Sequence, residues 1–200
     1  MPYVYLFDIS QIKNVVIPTR NLNNNRADIA AKFAIFEDRQ RSIIAWLLLQ
    51  KASNDIYGIN TADLKLLFSK FGKPSFENAP FHFSISHSLN LVAVAISPEN
   101  VGIDIEWIDY DRKLSTRLLQ KYEIDMTNSN EKVSENFYLK WTQIETDIKF
   151  FDSNTNCHEA GIVSSKKEKD DEKREYFMTI RTLKKEEIKI IRPTYESLVD

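Results

Sequence analysis

The sequence predicts a mixed α+β protein, and three stretches carry that prediction. Residues 2–9 (PYVYLFDI) are rich in strand formers. Residues 29–52 place Phe36, Ile43, Ile44, Leu47 and Leu48 at helical spacing. Residues 101–107 (VGIDIEW) alternate apolar and polar side chains, as a strand with two unlike faces does. At 200 residues the chain has room for one large domain or two small ones. A hydrophobic content of 42% with 12% aromatics supplies a core and excludes a disordered chain.

In chain order, residues 2–9 read as a strand and residues 14–25, rich in asparagine, as a loop or a short helix joined by one. The helix over 29–52 follows. Thr61 is placed to cap a short helix through Phe68, which the turn at residues 71–75 (FGKPS) ends. Residues 91–96 are apolar on both faces, as in a covered strand. Residues 97–100 (SPEN) form a turn. A short helix is expected over 117–122 and a polar loop over 125–131. In residues 136–149, Phe137, Trp141, Ile144 and Ile148 recur at helical spacing and predict a core stripe. Beside it runs a second stripe of Tyr138, Thr142, Glu145 and Lys149. Residues 159–163, 176–183 and 187–191 read as strands, and the mixed-charge run 164–175 (SSKKEKDDEKRE) as a solvated loop.

A net charge of −2 lacks the basic footprint of a general nucleic-acid binder. The single cysteine, Cys157, cannot form an internal disulfide, which fits a reducing compartment. Residues 43–49, the longest apolar run, are too short to span a bilayer. The N-terminus lacks the layout of a signal peptide. The expectation is a soluble cytoplasmic protein without a membrane partner. Cys157 and His158 are too few to make a metal site, and His82 reads as structural.

The chemistry concentrates in residues 81–106. Ile103, Ile105 and Trp107 point to one side of their strand. Asp104 and Glu106 point together to the other. Two such carboxylates either face water or offer hard oxygen ligands to a divalent cation. Upstream, Phe83 and Ile85 alternate with Ser84 and Ser86, and the strand runs into a hydroxyl-rich turn with His87 and Ser88. Hydroxyls, turn N–H groups and an imidazole suit a phosphate, or simply a hydrogen-bonded turn.

Three blocks in this order, Gly72-Lys73-Pro74, Phe83-Ser84-Ile85-Ser86-His87-Ser88 and Gly102-Ile103-Asp104-Ile105-Glu106, resemble the two-lobed, Sfp-type members of the 4′-phosphopantetheinyl transferase superfamily. A fourth, Trp141-Thr142-Gln143-Ile144-Glu145 with Lys149, resembles that family's Trp-(Ser/Thr)-x-Lys-Glu-x-x-x-Lys helix. The resemblance implies two similar lobes, residues 1–99 and 100–200, each a small mostly antiparallel sheet packed with a long helix, with the active site between them. It implies a holo-[acyl-carrier-protein] synthase type activity: a phosphopantetheine group moves from coenzyme A to a serine of an acyl or peptidyl carrier protein of fatty-acid, polyketide or nonribosomal-peptide synthesis, and 3′,5′-ADP leaves. It implies Mg²⁺, or Mn²⁺, on Asp104, Glu106 and Glu145, with Asp104, Glu145 and Lys149 catalytic. It also implies phosphate contacts from Lys73, Ser86, His87 and Lys149, nucleotide contacts from Arg41 and Ser42, and a monomer. Two positions depart from the pattern. Ile144 stands where a lysine precedes the glutamate, with Lys140 one turn earlier as a substitute, and no glycine-rich turn follows the helix. The alternative expectation is therefore a homologue that binds coenzyme A or a carrier protein without efficient transfer. A coenzyme-A-linked enzyme of another sort is a third.

Overall fold

A computed structural model describes residues 1–13, 15–17, 22, 26–152 and 161–199. In chain order the elements are β1 (Tyr3–Asp8), α1 (Arg26–Ala31), α2 (Phe36–Tyr57), β2 (Leu66–Phe68), β3 (Pro74–Phe76), β4 (His82–Ser88), β5 (Leu91–Ser97), β6 (Val101–Trp107), α3 (Thr116–Lys121), α4 (Asn130–Phe151), β7 (Ile162–Lys169), β8 (Glu175–Thr182), β9 (Lys189–Ile191) and α5 (Glu196–Val199). The class is α+β: a four-stranded and a three-stranded sheet, each backed by a helix of 22 residues, and a separate β2–β3 hairpin. The expected loop at 14–25 falls largely outside the described residues, as do Cys157 and His158.

The first sheet runs β4-β5-β1-β9 and the second β6-β8-β7. Every pairing is antiparallel except that of β9 with β1. Period-two alternation gives each sheet two apolar faces or one. Tyr5, Phe7, Val92 and Val94 meet Ile44, Leu47 and Leu48 of α2. From the other side of the same strands, Val4, Leu6, Ala93 and Ala95 meet Ile103, Ile105, Met178 and Ile180 of the second sheet. The outer face of that sheet carries α4, with Phe137 and Tyr138 near Phe177. The layers are thus helix, sheet, sheet, helix, and β5 is buried along its whole length.

Four expectations change. The single helix expected over 29–52 is instead α1 and α2, with residues 32–35 non-helical between them. The short helix to Phe68 is a single 3-10 turn at Thr61–Asp63, capped by Asn60, whose side chain accepts from Ala62 N–H. Residues 66–68 instead pair with 74–76 as a hairpin around Gly72, whose φ of 86° suits glycine. The charged run is mostly strand: β7 pairs with β8 from Ile162 to Lys169, and only its last residues turn. Its lysines find partners across the strand and on α4, with Lys167 bonded to Glu135 and Lys169 to Glu175. Charge here guards an exposed sheet edge.

The last change is the buried stripe of α4. Phe137 is buried as expected, but Trp141, Ile144 and Ile148 are half-exposed, while Tyr138, Thr142, Thr146, Asp147 and Phe150 are covered. The helix rolls this way because the strands beneath present Gly102, Asp104, Thr179 and Arg181, not an apolar floor. Thr142 Oγ1 lies 2.8 Å from Thr179 Oγ1, and Thr146 Oγ1 donates to Thr179 O. Asp147 pairs with Arg181 at 2.6 Å. Helix and strand come closest at Gly102, where an added Cβ would stand 2.5 Å from Thr146 O and 3.0 Å from Phe150 Cβ.

Gly102→Ala is therefore expected to destabilise the fold by about 1–3 kcal/mol or more in denaturant titration, by pushing α4 off the sheet. A pH effect follows from the β7–β8 turn. Burial alone would raise the Asp170 carboxyl, but bonds from Arg174 and Tyr176 outweigh it and hold Asp170 below its usual value. A carboxyl depressed in the folded state stabilises fully above about pH 4 and loses that contribution as pH falls through its folded value. Asp170→Asn is expected to cost about 1–3 kcal/mol at neutral pH and to flatten the acid limb of the stability curve.

Candidate active site

Each sheet ends in an open edge strand, β4 in the first and β6 in the second. These edges meet through serine hydroxyls and not through a backbone ladder. Ile103 N–H donates to Ser84 Oγ at 3.2 Å, Ile105 N–H to Ser86 Oγ at 3.2 Å and Trp107 N–H to Ser88 Oγ at 3.1 Å. Both strands repeat every second residue, so the three rungs stay in register. Each hydroxyl has a proton left to donate. Ser86 Oγ gives it to Asp104 Oδ1 and Ser88 Oγ to Glu106 Oε2, both at 2.8 Å. At the first rung the matching position is Gly102, where α4 leaves no space for a side chain. One device thus joins the sheets and aims two carboxylates. The expected hydroxyl-rich turn is this strand edge; the turn itself is at Leu89 and Asn90.

α4 closes the third side. Ser86, His87, Asp104, Glu106, Glu145 and Lys149 line one open cleft of about 360 Å³, with Ile85 and Trp141 as its apolar walls. Six of the nine expected site residues thus come together. Lys149 Nζ lies 2.7 Å from Asp104 Oδ1. Asp104 Oδ2 is buried with no hydrogen-bond partner. Burial, then the neighbouring Asp104 charge, pushes the Glu106 carboxyl up to about 7, against the pull of Ser88 and Lys149. Burial and Asp104 also raise Glu145, with Lys149 opposing. His87 stands exposed at the rim, where the protein behind it, then Arg41 and Lys149, push its pKa down. The cleft thus holds three carboxyl groups, one ammonium and a neutral imidazole.

The other three residues lie around it. Arg41 donates to Leu89 O at 2.7 Å and pairs with Asp38, next to the β4–β5 turn. Ser42 follows it on α2, half-buried. Lys73 Nζ donates to Asn100 Oδ1 at 2.8 Å. Lys140 does not take the place of Ile144 in the cleft: both line a separate hollow of about 400 Å³ with Tyr122, Asp147 and Arg181. Among the described residues no three His, Cys, Asp or Glu side chains are grouped to hold a metal ion as they stand, and the Lys149 ammonium lies against Asp104.

Sequence reasoning missed the linking role of Ser84 and Ser88, the wall formed by Trp141, and Asn100. The first had a visible signal: serines at 84, 86 and 88 repeat the spacing of 102, 104 and 106. Ser86→Ala removes an acceptor and a donor from a buried rung and is expected to cost about 1–3 kcal/mol in chemical denaturation. Ser88→Ala, on the more open rung, is expected to cost about half as much.

A family model described as 4′-phosphopantetheinyl transferase, N-terminal, matches residues 12–99. The 4′-phosphopantetheinyl transferase ffp of Bacillus subtilis is 31% identical over 117 residues, 56% of this chain and 52% of that protein. The 4′-phosphopantetheinyl transferase gsp of Aneurinibacillus migulanus is 30% identical over 132 residues, 64% and 55%. The 4′-phosphopantetheinyl transferase Sfp of Bacillus subtilis strain 168 is 27% identical over 117 residues, 56% and 52%. The chain spans about half the length of these relatives. With the fold and the four sequence blocks, these matches make the chain similar to the 4′-phosphopantetheinyl transferases, Sfp among them.

Proposed function

We propose that this chain transfers the 4′-phosphopantetheine group of coenzyme A to a serine hydroxyl of an apo acyl or peptidyl carrier protein, with 3′,5′-ADP as the leaving group. The observation that carries the reading is the meeting of Asp104, Glu106, Glu145, Lys149 and His87 in one cleft. Phosphoryl transfer needs positioning and charge neutralisation more than covalent catalysis, and this set supplies both.

The carboxylates fit a hard divalent cation. An orphaned buried oxygen on Asp104 and a Glu106 carboxyl raised by burial and then by its like-charged neighbour are both relieved by a cation. Asp104, Glu106 and Glu145 would hold Mg²⁺ or Mn²⁺. Such an ion supplies charge neutralisation at the phosphate oxygens. The chain's own groups do the rest. Lys149, its side chain 28% exposed, presents positive charge to the cleft. His87, kept neutral, donates a hydrogen bond to a phosphate oxygen. Glu145, raised and at the cleft wall, accepts the serine proton as the new P–O bond forms and the bond to 3′,5′-ADP breaks. Ser86 holds Asp104 in place from behind, Lys73 neutralises phosphate charge alongside Lys149, and Arg41 and Ser42 flank the nucleotide end.

In this reading the lobes are residues 1–99 and 100–200, one chain carries a whole site, and the protein acts as a cytoplasmic monomer. No described helix is long and apolar enough to cross a membrane. The matched relatives favour the Sfp type over the holo-[acyl-carrier-protein] synthase subtype.

The test is to mix the protein with coenzyme A, Mg²⁺ and a panel of apo carrier proteins and to weigh the carriers intact. The expected result is a gain of one phosphopantetheine, abolished by chelator and reduced about a hundredfold or more by Asp104→Ala. Coenzyme A binding without any mass gain would overturn it and favour the binding homologue, whose motive is Ile144 where the family has a lysine, and the missing glycine-rich turn.

A further inference from the structure

The end of α4 is joined to the lysine turn of the β2–β3 hairpin by two separate links. Asp152 is the C-cap residue, at φ 52° and ψ 47°, with its N–H bonded to Ile148 O. This left-handed conformation is one that glycine favours and that aspartate tolerates. The carboxylate has a task there: Ser69 Oγ donates to Asp152 Oδ1 at 2.7 Å. Ser69 Oγ in turn accepts the N–H groups of Phe71 at 3.2 Å and Lys73 at 3.0 Å, so it organises the turn that carries Lys73. The second link runs through Asn100. Lys73 Nζ donates to Asn100 Oδ1 at 2.8 Å, and Asn100 Nδ2 donates to Phe150 O at 2.6 Å. Lys149, which faces Asp104, sits in the same last turn of α4.

We propose that Asp152, acting through Ser69 and with Asn100 beside it, is a positioning residue that fixes Lys73 relative to Lys149, so that both ammonium groups meet the phosphates of one coenzyme A molecule. The inference rests on the transferase reading and adds a residue to it. The position is where the family's glycine-rich turn is absent, and Asp152 turns that departure into a tie between residues 69–73 and the helix. Burial lowers the Lys73 pKa, and the Asp152 charge opposes that shift without reversing it.

The test is calorimetric titration of the full chain with coenzyme A. Asp152→Gly suits the left-handed backbone, so its melting temperature should stay close to that of the parent, while Kd rises about tenfold. Asp152→Asn keeps an acceptor for Ser69 Oγ and should stay within about threefold of the parent. In a Lys73→Ala background Asp152→Gly should add nothing further, because the tie then has no lysine to hold. An unchanged Kd in Asp152→Gly overturns the proposal, and so does a full additional loss in the Lys73→Ala background. Both results leave the transferase reading standing. Failure of the parent chain to bind coenzyme A overturns the two together.

Discussion

Three serine hydroxyls join the edges of the two sheets, whose apolar faces pack against each other. A backbone ladder would have joined β4 to β6 and left the carboxylates to face water. With hydroxyls between the strands, each rung takes an N–H from one residue of β6, and the rungs at Ser86 and Ser88 also return a proton to the side chain of the residue before it. A buried hydroxyl used both ways contributes more than a single bond, and a carboxylate so held loses little further freedom on meeting a ligand. The joint between the sheets and the aim of the site are therefore one feature. The spacing of the ladder also fixes where chemistry ends, because the rung at Gly102 has no side chain and gives its space to α4.

That close approach sets the character of α4. A helix lying against glycine, threonine and aspartate cannot seat large apolar side chains there. Thr142 and Thr146 fill the gap and satisfy their hydroxyls on Thr179. Rolling the helix this way brings Trp141, Glu145 and Lys149 to the cleft, where an apolar stripe against the sheet would have turned them elsewhere. The stored electrostatic cost is visible in the same place: a raised Glu106, a raised Glu145 and an unpartnered oxygen on Asp104. Perturbed carboxyls gathered in a cleft mark a site built for a charged ligand.

Much of this was legible in the chain. The alternation in residues 101–107 assigns Ile103 and Ile105 to the core and Asp104 and Glu106 to the other face, and both are found there. The long helices, the covered strand at residues 91–97 and the burial of Ile44, Leu47 and Leu48 follow from periodicity. What was not legible depended on partners distant in sequence. β7 reads as a solvated charge run until β8 and Glu135 are placed beside it. Residues 66–68 have the composition of a helix end until the Gly72 turn folds them onto 74–76. The buried stripe of α4 was misplaced because the apolar pattern assumed an apolar floor. Lys73 and Asp152 lie 79 positions apart, and nothing local announces that Ser69 joins them.

The central claim, that hydroxyls stand in for a neighbouring strand along β6, is tested most directly by amide hydrogen exchange of the free protein, read residue by residue by NMR. The account predicts that the N–H groups of Ile103, Ile105 and Trp107 are protected, although no backbone carbonyl of β4 faces them, and that Ser86→Ala lowers protection at Ile105 far more than at Ile103. Rapid exchange of all three in the unsubstituted protein, or an equal response of Ile103 and Ile105 to Ser86→Ala, would contradict it.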